Sequence, residues 1–275
     1  MFLLFYVVHS GDEMARIVKN GTHYSTFDMA GSVLRNINSL IYDFDGFGKV
    51  LISSLHFVNA TSMLFKFSSG VIEFVNCTFT DCRASSTSMI SKSYKMVFTN
   101  CSFCRISYMF LVASGSIVEF DSCTFTDISY IFGIFINCYV TIRNSEIMRV
   151  NSTFISLYSE STINIQNSSL AGILLLTAID IKEKTVVSGS KIIETGFIGD
   201  AVVIDSEVSS SSFSSGVLKV TRSTISNTSI SGDCVVDSVT YCDDVFIESS
   251  KDLTVLAVLY CYAVFAFLVV KRQYV

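Results

Sequence analysis

The sequence predicts an all-β chain: a parallel β-helix solenoid with a C-terminal transmembrane helix. Three observations carry this. Similar phrases recur at a near-constant spacing through the middle of the chain, apolar and polar residues alternate within each phrase, and an uncharged apolar run of 18 residues stands near the C-terminus.

The repeat is clearest in VIEFVNCTFTDC from Val71, KMVFTNCSFCRI from Lys95 and SIVEFDSCTFTDI from Ser116. Weaker copies follow in YVTIRNSEIMRV from Tyr139 and STINIQNSSLAG from Ser161. The small residue after the Asn position falls at Cys77, Cys101, Cys123, Ser145 and Ser168, at steps of 24, 22, 22 and 23. A fixed period of this size means stacked supersecondary units. Within a unit, Ile72 and Phe74 flank polar Glu73, and the period-two pattern of a strand resumes after Asn76 with Cys77 and Phe79. Asn tolerates the left-handed backbone region, so one Asn can turn the chain between two short strands. Two strands and a bend per unit then describe one coil, resting on the next at about 4.8 Å. Stacking puts Phe74, Phe98, Phe120, Ile142 and Ile165 in one inward row. It puts Phe79, Phe103, Phe125, Ile147 and Leu170 in another. Later phrases around VVIDSEVSSSSF, LKVTRSTISNTSI and VVDSVTYCDDV recur at 15 to 17 residues and predict smaller coils. A leucine-rich repeat has a similar period, but its Leu positions are poorly filled here and the alternation continues past the Asn.

Residues 51–250 are therefore expected to form one β-helix, and residues 11–50 a cap in which DEMARIVKNG supplies a short helix over the open end. The run Leu253 to Val270 spans about 27 Å at 1.5 Å per residue, enough for a bilayer core. Lys271 and Arg272 follow it, which makes 271–275 a cytoplasmic tail and the body extracellular. A tail-anchored cytosolic protein shares the same layout. Phe2 to Val8 is the apolar core of a candidate signal peptide over residues 1–10, short and without a basic start; a truncated reading frame is the alternative. Composition agrees with a packed body. Hydrophobic residues make up 50% and charged residues 16%, far from a disordered profile. Net charge is -5, so nucleic acid is not an expected partner. The chain has no Pro, where average usage gives about 14. That suits strands paired on both sides, although drift in base composition gives the same result.

The F-x-N-C-x-F-x-x-C phrase of Phe74 to Cys82, echoed at Phe98 to Phe103 and Phe120 to Phe125, resembles the right-handed parallel β-helix proteins of the pectin-lyase-like superfold. It is similar in particular to surface families of parasitic protists with polymorphic-membrane-protein-like repeats. The resemblance covers roughly residues 50–240 and implies a structural or adhesive role at the cell surface. The G-G-A-[ILV] tetrapeptide typical of those families is absent from this chain.

No residue set reads as a catalytic centre, and no cofactor is expected. Cys77, Cys101 and Cys123 read as small buried residues of one stacked row. Cys101-x-x-Cys104 with Cys77 and Cys82 could make a zinc site, but alternation turns Cys101 inward, where a metal has no room. Cys234 and Cys242 are the disulfide candidates. Asp81 and Asp127 stand at loop ends, and adjacent Asp243 and Asp244 would point to opposite faces of a strand. His9, His23 and His56 all precede the strong repeats. N-glycosylation candidates are Asn20, Asn59, Asn76, Asn100, Asn151, Asn167 and Asn227. The expected role is an ectodomain presenting a repetitive face to a carbohydrate or protein ligand, with the lipid bilayer as a second partner through Leu253 to Val270. A carbohydrate-active enzyme of the same fold and a fragment of a larger surface protein are the alternatives.

Overall fold

The computed structural model describes residues 16–20, 24–28, 33–36, 40–43, 48–60, 63–67, 70–83, 89–92, 94–108, 110–178, 184–237, 241–243 and 246–248. The candidate signal peptide, the apolar run 253–270 and the tail 271–275 lie outside them. Every regular element among the described residues is a β-strand, and no helix there is long and apolar enough to cross a membrane.

The strands form a solenoid with three sides. Sheet I stacks Lys49–Ser53, Val71–Val75, Lys95–Thr99, Ile117–Asp121, Tyr139–Arg143 and their successors in parallel. Sheet II stacks His56–Val58, Thr78–Thr80, Ser102–Cys104 and Thr124–Ile128. Sheet III stacks Met63–Phe67, Met89–Ser91, Leu111–Ser114 and Gly133–Ile136. The sequence pattern shows two strands per coil, and the third is a correction. Its phrases, such as MIS and GIFI, are short and lie far from the Asn signature.

The register confirms both predicted rows. Phe98 sits opposite Phe74 and Phe120, then Ile142 and Ile165 follow. Phe103 sits opposite Phe79 and Phe125, then Ile147 and Leu170. All ten of these side chains are fully buried. The rings stack face to face, Phe74 on Phe98 and Phe98 on Phe120 at 4.8 Å each. A third column was not predicted: Phe110, Phe132 and Phe154 stack at 5.3 and 5.4 Å on the arm leading into sheet III.

Between sheets I and II the chain turns on one residue with positive φ: Asn76 at 56°, Asn100 at 52°, Asn144 at 51° and Asn167 at 48°. Each sends its backbone N–H to the next coil, Asn76 to Thr99 O at 2.9 Å and Asn100 to Asp121 O at 3.0 Å. The predicted bend is therefore also part of the ladder.

Just inside that bend runs one continuous buried row: Leu55, Cys77, Cys101, Cys123, Ser145, Ser168, Ser190, Ser206 and Ser223. Each serine hydroxyl donates to the carbonyl two residues back, as Ser168 does to Gln166 at 2.7 Å. The same oxygen accepts the preceding coil's amide, as Ser168 Oγ does from Ser145 N at 3.1 Å. The thiols make the first contact only at longer range, Cys101 to Thr99 O at 3.4 Å.

The N-terminal end is corrected. Arg16–Asn20 is a strand, not part of a helix, and pairs antiparallel with Tyr24–Asp28. Adjacent β-branched Ile17 and Val18, and the Asn20-Gly21 turn signal, outweigh the helical reading of DEMARIVKNG. The second strand of this hairpin lies alongside Lys49–Ser53, so the hairpin takes the place of the expected cap. The parallel stack also starts earlier than residue 51, since Val33–Arg35 and Leu40–Asp43 already pair into sheets II and III.

Candidate functional site

The coils change width partway along the stack. The serine row marks it: steps of 22, 23 and 22 give way to 16 and 17 at Ser206 and Ser223. The smaller coils predicted from spacing are therefore present. Sheet I to sheet II keeps its length, seven residues from Tyr139 to Glu146 and seven from Asp200 to Glu207. The loss is shared by the two corners that flank sheet III. In a wide coil Asp127 stands six residues before Gly133; in a narrow coil Glu194 stands three before Phe197, which occupies the same register column. The missing arm is the one that carries Phe110, Phe132 and Phe154.

That corner is a single line of positive-φ residues along the whole stack. It reads Asn36, Asn59, Asp81, Arg105, Asp127, Arg149, Gly172, Glu194, Ser210 and Asn227. On the wide coils its charges alternate and close on each other. Arg105 grips Asp81, with Nη2 to Oδ2 at 2.7 Å, and Arg149 grips Asp127, with Nε to Oδ1 at 2.6 Å. These bidentate pairs hold the Asp81 and Asp127 carboxyls below their usual range, the hydrogen bond from Arg105 or Arg149 being the main cause. The two aspartates placed at loop ends by the sequence are thus ion-paired across coils. The signal was present, since Asp81, Arg105, Asp127 and Arg149 recur at 24, 22 and 22.

Among its described residues beyond Gly172 the line carries no ion pair, and it opens into a groove of about 440 Å³ where the coils narrow. Ile173 forms one wall. Glu194, Ser210 and Asn227 from the corner line, with Ser212 and Ser229 at the starts of the sheet III strands, present exposed polar groups. Asn227 Nδ2 reaches Ser210 Oγ at 3.3 Å. The floor is closed: Thr195, Ser211 and Thr228 are buried and turn their hydroxyls back to Ile193, Ser209 and Ser226. Among the described lining residues Glu194 is the one ionisable group. Volumes of about 300–1,000 Å³ are usual for small-molecule clefts. Sequence reasoning missed this groove because it is made by residues not there: a three-residue shortening of this corner that no motif marks.

The other predicted site residues fall as follows. Asn59, Asn76, Asn100, Asn151, Asn167 and Asn227 are all exposed, so a sugar on any of them meets no core. Asn20 ends the first strand of the hairpin. Cys234 stands opposite Leu218 in sheet I, and Cys242 opposite Ile225 in sheet II; their side chains lie outside the description. Cys77, Cys82 and Cys101 are buried, and burial pushes the Cys82 thiol up to about 12. Cys104 points outward beside Arg105 while Cys101 points inward, so the pair offers no shared donor set. His56 Nδ1 lies 2.8 Å from Thr78 Oγ1 on the outside of sheet II. His9, His23 and Asp244 are not among the described residues, and for Asp243 only the backbone is described.

A family profile described as right handed beta helix region matches residues 17–170, more than half of the chain. Among solved structures the chain is similar to a mannuronic acid specific polysaccharide family 6 lyase from human gut microbiota. Identity is 7%, with 81% of this chain and 77% of that one covered and a TM-score of 0.37. It is also similar to PfbA, a surface adhesin of Streptococcus pneumoniae, at 9% identity, 85% and 86% coverage and a TM-score of 0.26. The Siphovirus 9NA tailspike receptor binding domain shows 9% identity, 75% and 51% coverage and a TM-score of 0.26. Curated proteins give no match. Likenesses this distant carry nothing about chemistry. The chain belongs to the right-handed β-helix family, and its groove lies just past the matched stretch.

Proposed function

We propose that this chain is a cell-surface binding protein that holds a carbohydrate in the groove at the step in coil width. One observation carries the reading: an open cleft lined by the hydroxyls of Ser210, Ser212 and Ser229, the Asn227 amide and a single carboxylate, Glu194. Hydroxyl and amide groups on a rigid backbone donate and accept in turn, which matches the polyhydroxyl edge of a sugar. Glycoside hydrolysis needs two carboxyl groups about 5–10 Å apart, and the described lining supplies one. That favours retention of a ligand over its cleavage. The exposed sequons outside the groove and the Lys271-Arg272 pair after the apolar run support an extracellular body anchored by Leu253 to Val270.

The test is a glycan-array screen with the full-length chain in detergent, repeated with Ser212→Trp to fill the groove. Binding that disappears in the variant supports the site. Binding that persists undiminished refutes it. Release of unsaturated or reducing ends from any bound glycan would replace the binding reading with an enzymatic one. For topology, expression in a eukaryotic cell followed by N-glycosidase should lower the apparent mass, and changing the sequon asparagines to Gln should abolish that shift. An unglycosylated body, cut by protease only after the plasma membrane is opened, would put it in the cytosol.

A further inference from the structure

The three outer faces of the wide coils differ in chemistry. Sheet I carries cross-coil ion pairs, Lys49 with Glu73 and Lys95 with Glu119. Sheet II carries hydroxyls, with Thr124 Oγ1 donating to Ser102 Oγ at 3.0 Å. Sheet III is mostly apolar. Ile90, Val112 and Ile134 occupy one outward column in successive coils, and Ser114, Ile136 and Tyr158 the next column. Tyrosines frame this face. Tyr130 lies on the arm that enters it, Tyr94 stands where the chain leaves it for sheet I, and Tyr139 is the first outward residue of sheet I beside that corner. The exposures are 51% for Tyr130, 69% for Tyr94 and 65% for Tyr139, with Ile90 at 39% and Tyr158 at 36%. Of the eight exposed large apolar side chains among the described residues, two, Ile90 and Tyr158, stand on this face and three, Tyr94, Tyr130 and Tyr139, at its two edges. Single exposed apolar residues need no explanation, but a contiguous set rimmed by polar atoms marks a contact surface.

We infer that the outer face of sheet III lies flat on a phospholipid bilayer, with the tyrosine rim at headgroup depth. Tyrosine has an apolar ring and a hydroxyl that must stay wet, which is why it concentrates at membrane interfaces. Lys66 continues the Ile90 column by one coil and Lys92 follows the same strand; both are exposed and placed for anionic headgroups. Glu160 is the carboxylate at the adjoining corner, next to Tyr158 and Ser159. The last described strand, Phe246–Glu248, belongs to sheet III, and four residues separate it from the apolar run at Leu253. That strand thus belongs to the sheet that carries this face. The inference rests on the proposed anchoring by Leu253 to Val270, and the experiment separates the two.

The chain contains no Trp, so one introduced indole reports alone. The full chain carrying Tyr139→Trp is reconstituted into phosphatidylcholine–phosphatidylserine vesicles, with and without bromine on the acyl chains. Thr126→Trp, outward on sheet II, is the reference. The Tyr139→Trp protein should show a blue shift and lose most of its emission to brominated lipid, while the reference keeps its emission. Adding Ile134→Asp to Tyr139→Trp should restore the emission. Co-flotation with unquenched Tyr139→Trp overturns this inference and leaves the anchor standing. Failure to co-float overturns both. A blue shift that needs no vesicles and grows with protein concentration assigns the face to a second copy of the chain and overturns the lipid reading.

Discussion

Replacing Phe98 by Ala tests the packing of the solenoid most directly. The ring is fully buried, stacked on Phe74 and Phe120 at 4.8 Å with interplanar angles of 8° and 9°, and meets Phe103 edge-on at 5.7 Å. Truncating a buried Phe costs about 3–5 kcal/mol, the spread reflecting how far the site can collapse. Collapse is restricted here, because the strands on either side of Phe98 are held in register by their ladders. The two stacked pairs add about 0.5–1.5 kcal/mol each beyond area, which places the expected loss near the top of that range. A domain stable by about 5–15 kcal/mol would lose a third or more of its stability. The assay is urea denaturation of the full-length chain in detergent, followed by far-ultraviolet circular dichroism. Thr78→Ala is the control. Thr78 points outward, half-buried, and its hydroxyl meets only His56 Nδ1 at 2.8 Å, so about 0.5 kcal/mol is expected. Coupling distinguishes stacking from mere burial. Phe74→Ala with Phe98→Ala should depart from additivity by about 1 kcal/mol, whereas Phe98→Ala with distant Phe213→Ala should add. Equal losses for Phe98→Ala and Thr78→Ala, or strict additivity of the adjacent pair, would refute the reasoning.

Other perturbations follow from the same geometry. Asn100→Ala places an alanine at φ 52° and should cost about 1–2 kcal/mol, while Asn100→Gly should cost less, read as shifts in the urea midpoint. Ser168→Val removes the acceptor for Ser145 N–H and should cost about 1–3 kcal/mol; Ser168→Cys should be milder, because cysteine already fills the row at Cys101 and Cys123. Asp81 and Asp127 titrate below the ordinary carboxylate range when folded. Their contribution to stability is therefore present above the unfolded carboxyl pKa and is lost as pH falls through the lowered folded value. Arg105→Gln should move the Asp81 carboxyl titration upward by carbon-13 NMR; an unmoved titration would show that the pair does not form in solution.

Much of this molecule was legible before folding. A buried strand needs an apolar residue at every second position, and a stack needs the same residue class at the same place in each coil. The phrases around Phe74, Phe98 and Phe120 therefore announced both inward rows, the Asn bends and the shorter coils beyond residue 190. Local backbone preference and repeated burial are properties of short segments, and the order of residues determines them directly. The third side of each coil escaped because strands of three or four residues at varying distance from the Asn leave little periodicity to detect. The hairpin at Arg16–Asn20 was misread because a short segment supports helix and strand almost equally, and only its pairing with Tyr24–Asp28 chooses. The features that bear on function were decided by tertiary structure alone. Asp81 and Arg105 are 24 residues apart and become partners only when their coils stack. The groove at Glu194, Ser210 and Asn227 lies where the coils narrow and is lined by residues from successive coils. The tyrosine-framed face of sheet III assembles residues from positions 90 to 158. Each of these depends on which coil lies beside which and how far each corner reaches. Those distances are set by the stacking of whole turns, which no single segment contains.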